Sequence, residues 1–261
     1  MAIRTTAIVN LKGGVAKTTT AINMAAILAK EHRKRVLLID ADSQCNTTEF
    51  FGGKDEGATM ATILRNTPKY DDVTSIALLA IQPTRYENIF LIPGDESLMD
   101  MDLSAASSGR VDTNVLRYLV EAVKGTYDYI IIDCPPAFNA ASAAALVAAD
   151  DVIIPIKLDA FSLRGMANLM RQIRNMRRIN PRLHLAGLLP TMWYRNKQIQ
   201  DAEDQLRGAG FSVFSHIRRS DKVDRMTFQQ DPLLISSPNS AAGVDYRKFV
   251  AEYMGGKRHG L

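Results

Sequence analysis

The stretch that decides the fold is LKGGVAKTTT, residues 11–20, which follows a short apolar run and precedes a segment of helical character. A strand, a glycine-rich turn and a helix direct backbone N–H groups and the positive end of the helix dipole toward an anion. Gly13 and Gly14 can adopt the positive φ values that a loop wrapped around a phosphate needs. The stretch therefore predicts a phosphate-binding loop.

The residues after the glycines follow the generic P-loop pattern. Lys17 is expected to reach the β- and γ-phosphates of a nucleotide, and the Thr18 hydroxyl to bind Mg²⁺. Thr19 can supply another phosphate contact. Val15 and Ala16 complete the loop, and Ala16 stands where the generic pattern has Gly. We therefore expect a nucleotide and Mg²⁺ at this loop.

Short apolar runs rich in Ile, Val and Leu alternate with helical segments along the chain, as expected of parallel strands buried on both faces. The runs are TTAIV, RVLLID, IFLIPG, YDYIIID, DVIIPIK and LHLAGLLP. Helices are predicted over residues 18–31, 96–106, 113–124, 140–149, 162–179, 197–208 and 241–254. This order predicts an α/β fold with a doubly wound, mostly parallel sheet flanked by helices.

The organisation along the chain is that of a single domain over residues 1–261, without internal repeats or low-complexity linkers. Residues 43–88 are the least periodic region, and we expect short helices and loops there, at one edge of the sheet. The N-terminal run is too short for a signal sequence, and no apolar run reaches the length of about 18 residues that a membrane span needs.

The composition is ordinary for a globular protein, with 46% hydrophobic and 23% charged residues and only Cys45 and Cys134 as cysteines. Two cysteines do not suggest a disulfide framework, so a cytoplasmic location is expected. Basic charge is concentrated late in the chain: residues 1–150 hold 14 Lys and Arg against 18 Asp and Glu, and residues 151–261 hold 18 against 10. This polarity suits a polyanionic partner, although a solvated basic surface explains it equally well.

Three carboxylates follow predicted strands. Asp40 ends RVLLID, Asp42 comes two residues later, and Asp133 ends YDYIIID. Carboxylates at the carboxyl ends of parallel strands project into the crevice where such sheets bind ligands. We therefore expect all three near the phosphates, with water as the acceptor in a phosphoryl transfer that depends on positioning and electrostatics.

Lys12, directly before the two glycines, adds a second lysine to the loop. Lys-Gly-Gly, two further residues, Lys and Thr resemble the ParA/MinD family of deviant P-loop ATPases. The resemblance implies that Lys12 crosses a dimer interface to touch the partner's nucleotide, so two protomers enclose two ATP molecules. It also implies that Asp42 positions the attacking water, and that Asp40 and Asp133 lie near Mg²⁺. Hydrolysis in this family is slow.

The resemblance extends to the far end of the chain, where two segments look like the adenine side of the family's site. Met192, Pro238 and Asn239 are its candidate contacts with the base, beside Thr191. Ser43 and Cys45 depart from the family's Pro and Gly after the first carboxylates, which leaves the conformation of that loop open.

Basic residues crowd the segment HIRRSDKVDRMTF. In the partitioning branch of the family this region holds nonspecific duplex DNA, which implies DNA binding by Arg218, Arg219, Lys222 and Arg225. Such contacts are sensitive to salt and indifferent to sequence. A second basic stretch, Arg171, Arg174 and Arg178 at helical spacing, is better explained as a solvated helix face.

The resemblance thus implies a DNA-partitioning ATPase that works as an ATP-dependent homodimer, with a ParB-like centromere-binding partner. The chain begins almost at the first strand, as in the short, Soj-like branch. The alternative is a MinD-like, membrane-associated positioning ATPase, which the short polar tail after Gly255 and Gly256 disfavours. An iron-sulfur electron donor is a further alternative, but Cys45 and Cys134 do not match its cluster cysteines, and we expect Cys134 to be a packing residue.

Overall fold

The computed structural model describes residues 3–54, 57–65, 75–76, 78–101 and 112–256. In these residues, the strands are β1 Arg4–Ile8, β2 Val36–Asp40, β3 Gln82–Pro83, β4 Ile89–Ile92, β5 Tyr129–Asp133, β6 Asp151–Lys157 and β7 His184–Thr191. They form a seven-stranded sheet in the order β3-β4-β2-β5-β1-β6-β7. All neighbours are parallel except β3 and β4. The predicted doubly wound, mostly parallel sheet is confirmed.

The helices are α1 Lys17–Lys30, α2 Asn46–Phe51, α3 Met60–Arg65, α4 Val115–Ala122, α5 Ala140–Ala148, α6 Ala160–Met176, α7 Lys197–Gly208, α8 Asp221–Gln229, α9 Leu233–Ser236 and α10 Ala241–Gly255. The helix predicted at residues 96–106 is a 3-10 helix, Glu96–Met101, and residues 102–106 lie outside the described part. Within the described part, no helix has both the length and the apolar character that a membrane crossing requires.

Helices cover both faces of the sheet because the strands are apolar on both sides. In β5, Ile130 and Ile132 belong to the core beneath α4, α5 and α6, whereas Ile131 belongs to the core beneath α1 and α10. This alternation follows from the two-residue period of a strand. Cys134 is fully buried in the first core, which confirms its packing role.

The carboxyl ends of the parallel strands meet at one edge, and this edge positions the site. The register places Asp40, the last residue of β2, directly beside Asp133, the last residue of β5. Strand β1 lies on the other side of β5 and leads into the glycine-rich loop and α1. The topology therefore brings together motifs that are more than ninety residues apart in the sequence.

Candidate active site

The glycine-rich loop is tied to the sheet at both ends. The side chain of Asn10 donates from Nδ2 to the carbonyl of Pro155 at 2.7 Å and accepts the backbone N–H of Lys12 at 3.0 Å. At the other end, the hydroxyl of Thr191 donates to the carbonyl of Val15 at 3.1 Å. These bonds fix the loop to β6 and β7.

The loop is open on the side where a phosphate would lie. Gly14 has a φ of 67°, and a Cβ added to Gly13 or Gly14 would meet no atom within 4 Å. Helix α1 begins at Lys17 without a side-chain cap, so its first N–H groups are available to an anion. Ala16 keeps the left-handed backbone, with φ 68°, that the usual Gly adopts freely. Ala in place of the usual Gly therefore leaves the backbone path of the loop unchanged.

A cavity of about 860 Å³ lies over this loop, a size that suits a nucleotide. Its phosphate end is lined by Gly13, Gly14, Ala16, Lys17, Thr18, Thr19, Asp42 and Lys157. The structure thus brings together most of the phosphate-binding residues that the sequence predicts. Val15 is buried beneath the loop and holds it through its backbone.

Lys17 is poised at the phosphate end with only 7% of its surface exposed. Its ammonium donates to the carbonyl of Lys12 at 3.2 Å. Burial lowers the pKa of Lys17, while the carboxylates of Asp133 and Asp42 act in the opposite direction. An anionic phosphate at this place would restore the charge balance around the ammonium.

Asp40 and Asp133 form a buried carboxyl pair behind the cavity. Asp40 accepts hydrogen bonds from the backbone and hydroxyl of Thr48 at 2.8 and 2.7 Å, and Thr47 donates to Asp133 at 2.8 Å. Burial and the neighbouring Asp133 raise the pKa of Asp40 to about 7, and burial raises that of Asp133 to about 6. Two carboxylates this deeply buried resist carrying two negative charges together.

The donor set at this edge fits Mg²⁺. Oδ1 of Asp133 is buried without a hydrogen-bond partner in the described part of the chain, and the Thr18 hydroxyl lies close enough to influence its pKa. Carboxylate and hydroxyl oxygens are the hard ligands that Mg²⁺ prefers. Asp40 is less free for such a role, because three hydrogen bonds from Thr48 and Asp42 occupy its oxygens.

Asp42 forms part of the cavity wall. Its Oδ1 accepts the backbone N–H of Gln44 at 3.1 Å. The loop that follows turns at Cys45, which has a left-handed backbone with φ 53° although the family has Gly there. The departure at Cys45 therefore leaves the turn in place, as at Ala16.

Lys12 does not lie in the cavity with Lys17. Its ammonium donates to both oxygens of Asp159, at 3.0 and 2.8 Å, and to the hydroxyl of Ser162 at 3.1 Å. Asp159 caps the N-terminus of α6, 147 residues along the chain, and no local sequence pattern predicts this contact.

The base end of the cavity is built mainly from residues that the sequence analysis did not single out. Thr191 and Met192 line it as predicted, whereas Pro238 and Asn239 are not among its lining residues. The N-cap residue Ser220 and one face of α8, through Val223, Asp224 and Thr227, supply the wall instead. Their spacing of three, four and seven residues is a helical stripe that could have been recognised in the sequence.

The four basic residues assigned to DNA have different surroundings. Arg218 is held by Asp245 through two hydrogen bonds of 2.8 Å from its guanidinium. Lys222 is 3.1 Å from Asp221. Arg219 and Arg225 are exposed, and Arg219, like Arg218, also lines the cavity. Arg218 is therefore the least available of the four to an external phosphate.

Comparison with known proteins places these features in a family. Residues 3–185 match the model of the AAA domain family. The chain is 34% identical to the chromosome partitioning protein ParA of Caulobacter vibrioides, over 98% of this chain and 96% of that protein. It is also 34% identical to the sporulation initiation inhibitor protein Soj of Bacillus subtilis, over 94% and 96% of the two chains.

Solved structures share the fold over nearly the whole chain. Apo McdA of Cyanothece superposes with a TM-score of 0.83 at 25% identity, covering 97% of this chain and all of that one. Cobyrinic acid a,c-diamide synthase of Mycobacterium smegmatis, with ADP and magnesium bound, gives 0.76 at 26% identity and covers 98% and 97%. Both are therefore similar in fold to this chain, and the second holds a nucleotide with magnesium.

Proposed function

Because the chain belongs to the ParA family of P-loop ATPases, we propose that it partitions DNA. ATP closes a homodimer, the dimer binds duplex DNA without sequence preference, and a ParB-like centromere-binding partner stimulates slow hydrolysis and release. The protein then works in the cytoplasm, associated with the nucleoid. The observation that carries the proposal is Lys12, which stands beside the phosphate loop but is not engaged with its cavity.

The phosphate end supplies the chemistry. Lys17 and the free N–H groups of the loop and α1 bind and orient the β- and γ-phosphates. Mg²⁺, when bound, neutralises charge on the phosphate oxygens, and Thr18 and Asp133 would hold it, with Asp40 behind them. Asp42, in the cavity wall, positions the attacking water. Catalysis then rests on positioning and electrostatics, without a covalent intermediate on the protein.

The second lysine explains why a dimer is needed. Lys17 already serves the nucleotide of its own protomer, whereas the ammonium of Lys12 is bound to Asp159. In a face-to-face dimer, Lys12 reaches the partner's nucleotide, so the charge of that nucleotide is compensated only when two protomers meet. ATP thereby becomes a condition for dimerisation.

DNA binding is assigned to the exposed residues near α8. Arg219 and Arg225 offer guanidinium groups to backbone phosphates, and Lys222 adds a third positive charge. Arg218 contributes indirectly by fixing the turn through Asp245. Because such contacts release counterions, the affinity for any duplex should fall steeply as salt increases.

Lys12→Ala tests the dimer. We expect the variant to bind ATP with near wild-type affinity but to remain monomeric, because Lys17 and the loop are intact. Light scattering with and without ATP measures the oligomeric state, and nucleotide affinity is measured by titration. Lys197→Ala, an exposed lysine outside the cavity lining, is the matched control and should dimerise normally. Dimerisation of Lys12→Ala with ATP would contradict the proposal.

An electrophoretic shift with duplexes of arbitrary sequence tests the DNA activity. We expect ATP-dependent binding that weakens as salt rises, and a smaller salt slope, by about one per residue, for Arg219→Ala and Arg225→Ala. Failure of wild-type protein to shift DNA with ATP at low salt would contradict DNA partitioning. Binding to liposomes under the same conditions would favour the MinD-like alternative instead.

A further inference from the structure

Lys12 is held on its own subunit by a specific set of acceptors. Both oxygens of Asp159 and the hydroxyl of Ser162 lie within 3.1 Å of its ammonium. An ammonium has three N–H donors, so all of them have partners here. Movement of Lys12 toward another protomer must break these three contacts together.

Asp159 itself is fixed by the start of α6. Its Oδ1 accepts the backbone N–H of Ser162 at 2.8 Å and the hydroxyl of the same residue at 2.9 Å. Although partial burial alone would raise the pKa of Asp159, the bonds from Lys12 and Ser162 lower it to about 2. The carboxylate is therefore a permanent negative charge in a fixed place, and it must keep a cation nearby or be left to solvent.

A second lysine stands within reach of the same carboxylate. Lys157, the last residue of β6, has its ammonium 3.9 Å from Oδ2 of Asp159. Its side chain is half exposed, and it lines the phosphate end of the cavity with Gly13 and Asp42. At this distance Lys157 is an ion-pair neighbour, whereas Lys12 at 2.8 Å makes the direct hydrogen bond.

We propose that Asp159 is a positioning residue with two alternative lysine partners, Lys12 in the free protomer and Lys157 in the ATP-closed dimer. This rests on the proposed function, in which Lys12 leaves its own subunit. A shift of Lys157 by about 1 Å would then replace the lost hydrogen bond. The exchange keeps the carboxylate paired in both states, so closure does not leave an uncompensated charge at the interface.

The exchange predicts opposite effects for its two members. Asp159→Asn keeps an oxygen to cap α6, since Asn is a good N-cap, but removes the charge that holds Lys12. We expect its ATP-dependent dimer to form at about two- to fivefold lower protein concentration, the range for a partly exposed ion pair. Lys157→Met, which keeps the length of the side chain, should require about two- to fivefold higher concentration.

The double variant separates exchange from a structural role. In the Asp159→Asn background, Lys157→Met should have no further effect on dimerisation, because the carboxylate that needs a second partner is absent. Sedimentation velocity with ATP measures all four proteins, and Ser162→Ala is the control for loss of one neutral contact. An equal effect of Lys157→Met in both backgrounds would overturn the exchange.

A measurement without nucleotide tests the free protomer alone, in which Lys12 is bound to Asp159. An amine-specific label, read by mass spectrometry, should modify Lys12 about two- to fivefold faster in Asp159→Asn than in wild type, while Lys197 labels equally in both. Equal labelling of Lys12 would overturn its retention by Asp159. A wild type that never dimerises with ATP would refute the proposed function and the exchange with it. Normal wild-type dimerisation with unchanged variants would refute the exchange alone.

Discussion

The two ends of the nucleotide cavity are built in different ways. At the phosphate end, Lys17 and Asp42 are held by the sheet and are only 7% and 8% exposed. At the base end, the wall is α8, whose nine residues include Met226 as their buried member, while Phe228 is 89% exposed. The phosphate end is therefore built on the sheet, whereas the base-end wall is more loosely attached and can open locally without unfolding the sheet.

The attachments of α8 are few and can be named. Met226 packs in the core beneath α1, where Nδ2 of Asn23 lies 3.3 Å from its sulfur. Beyond the helix, Gln230 donates to the carbonyl of Glu49 at 3.3 Å, and the Tyr86 hydroxyl donates to Asp231 at 2.6 Å. The base-end wall is thus connected to α1, α2 and the β3–β4 turn, and the segment before α8 is bonded to β7, where the backbone N–H of Ile217 donates to the carbonyl of Pro190 at 2.8 Å.

The largest expected effect belongs to the phosphate end. Asp42→Ala should leave ATP binding intact and reduce hydrolysis by about 10²-fold or more, because in the proposed mechanism this carboxylate positions the attacking water. The closed dimer should then stay on DNA. A steady-state phosphate-release assay measures the rate, and Ser43→Ala next to it is the control. A rate within twofold of wild type would remove Asp42 from this role.

Met226→Ala tests whether the base-end wall opens independently of the sheet at the phosphate end. Truncation of a buried methionine to alanine lowers the free energy of unfolding by about 2–5 kcal/mol. Here we expect faster hydrogen exchange in residues 221–229 and weaker ATP binding, while exchange in β1 and β5 stays unchanged. Phe228→Ala, on the same helix but exposed, should alter neither. Uniformly faster exchange throughout the sheet would show that the two ends are one cooperative unit.

A smaller effect is expected from pH in Mg²⁺-free buffer. An Asp carboxyl has a pKa of about 3.9 in an unfolded chain, and burial raises the folded values of Asp40 and Asp133 to about 7 and 6. Between these limits the folded protein binds more protons, so this pair makes the free energy of unfolding fall as pH rises. Above about pH 8, one unit beyond the higher pKa, its contribution should be flat.

Urea unfolding at several pH values, with EDTA present, measures this slope. Asp40→Asn keeps an acceptor for Thr48 but cannot titrate, and it relieves the charge beside Asp133. The free energy of unfolding of the variant should therefore depend less on pH than that of wild type between about pH 4 and pH 7. Identical slopes for the two proteins would contradict a titrating pair.

The smallest effect concerns Ala16. Its left-handed backbone is strained for an L-residue, whereas Gly adopts it freely but loses more entropy on folding. These opposing terms leave a change of less than about 1 kcal/mol in the free energy of unfolding for Ala16→Gly. By contrast, Ala26→Gly within α1 should lose about 1 kcal/mol or more. Thermal unfolding of both variants tests the difference.

The phosphate end could be predicted from sequence because its signals are local. A strand, two glycines, a lysine and a threonine lie within fifteen residues, and strand ends place Asp40, Asp42 and Asp133. The ion pair of Lys12 with Asp159 could not be predicted, since it depends on how β1 and β6 lie side by side. The same holds for Arg218, whose partner Asp245 belongs to another helix.

Helix α8 presents Val223 and Thr227 to the nucleotide cavity and Arg225 to solvent. If this wall couples the two ligands, the coupling is thermodynamically reciprocal. If ATP changes the affinity of the protein for DNA by some factor, DNA must change its affinity for ATP by the same factor. If ATP increases the affinity for DNA, a protomer bound to DNA would hold its ATP more tightly than a protomer free in solution. DNA binding would then slow the loss of ATP from the protein.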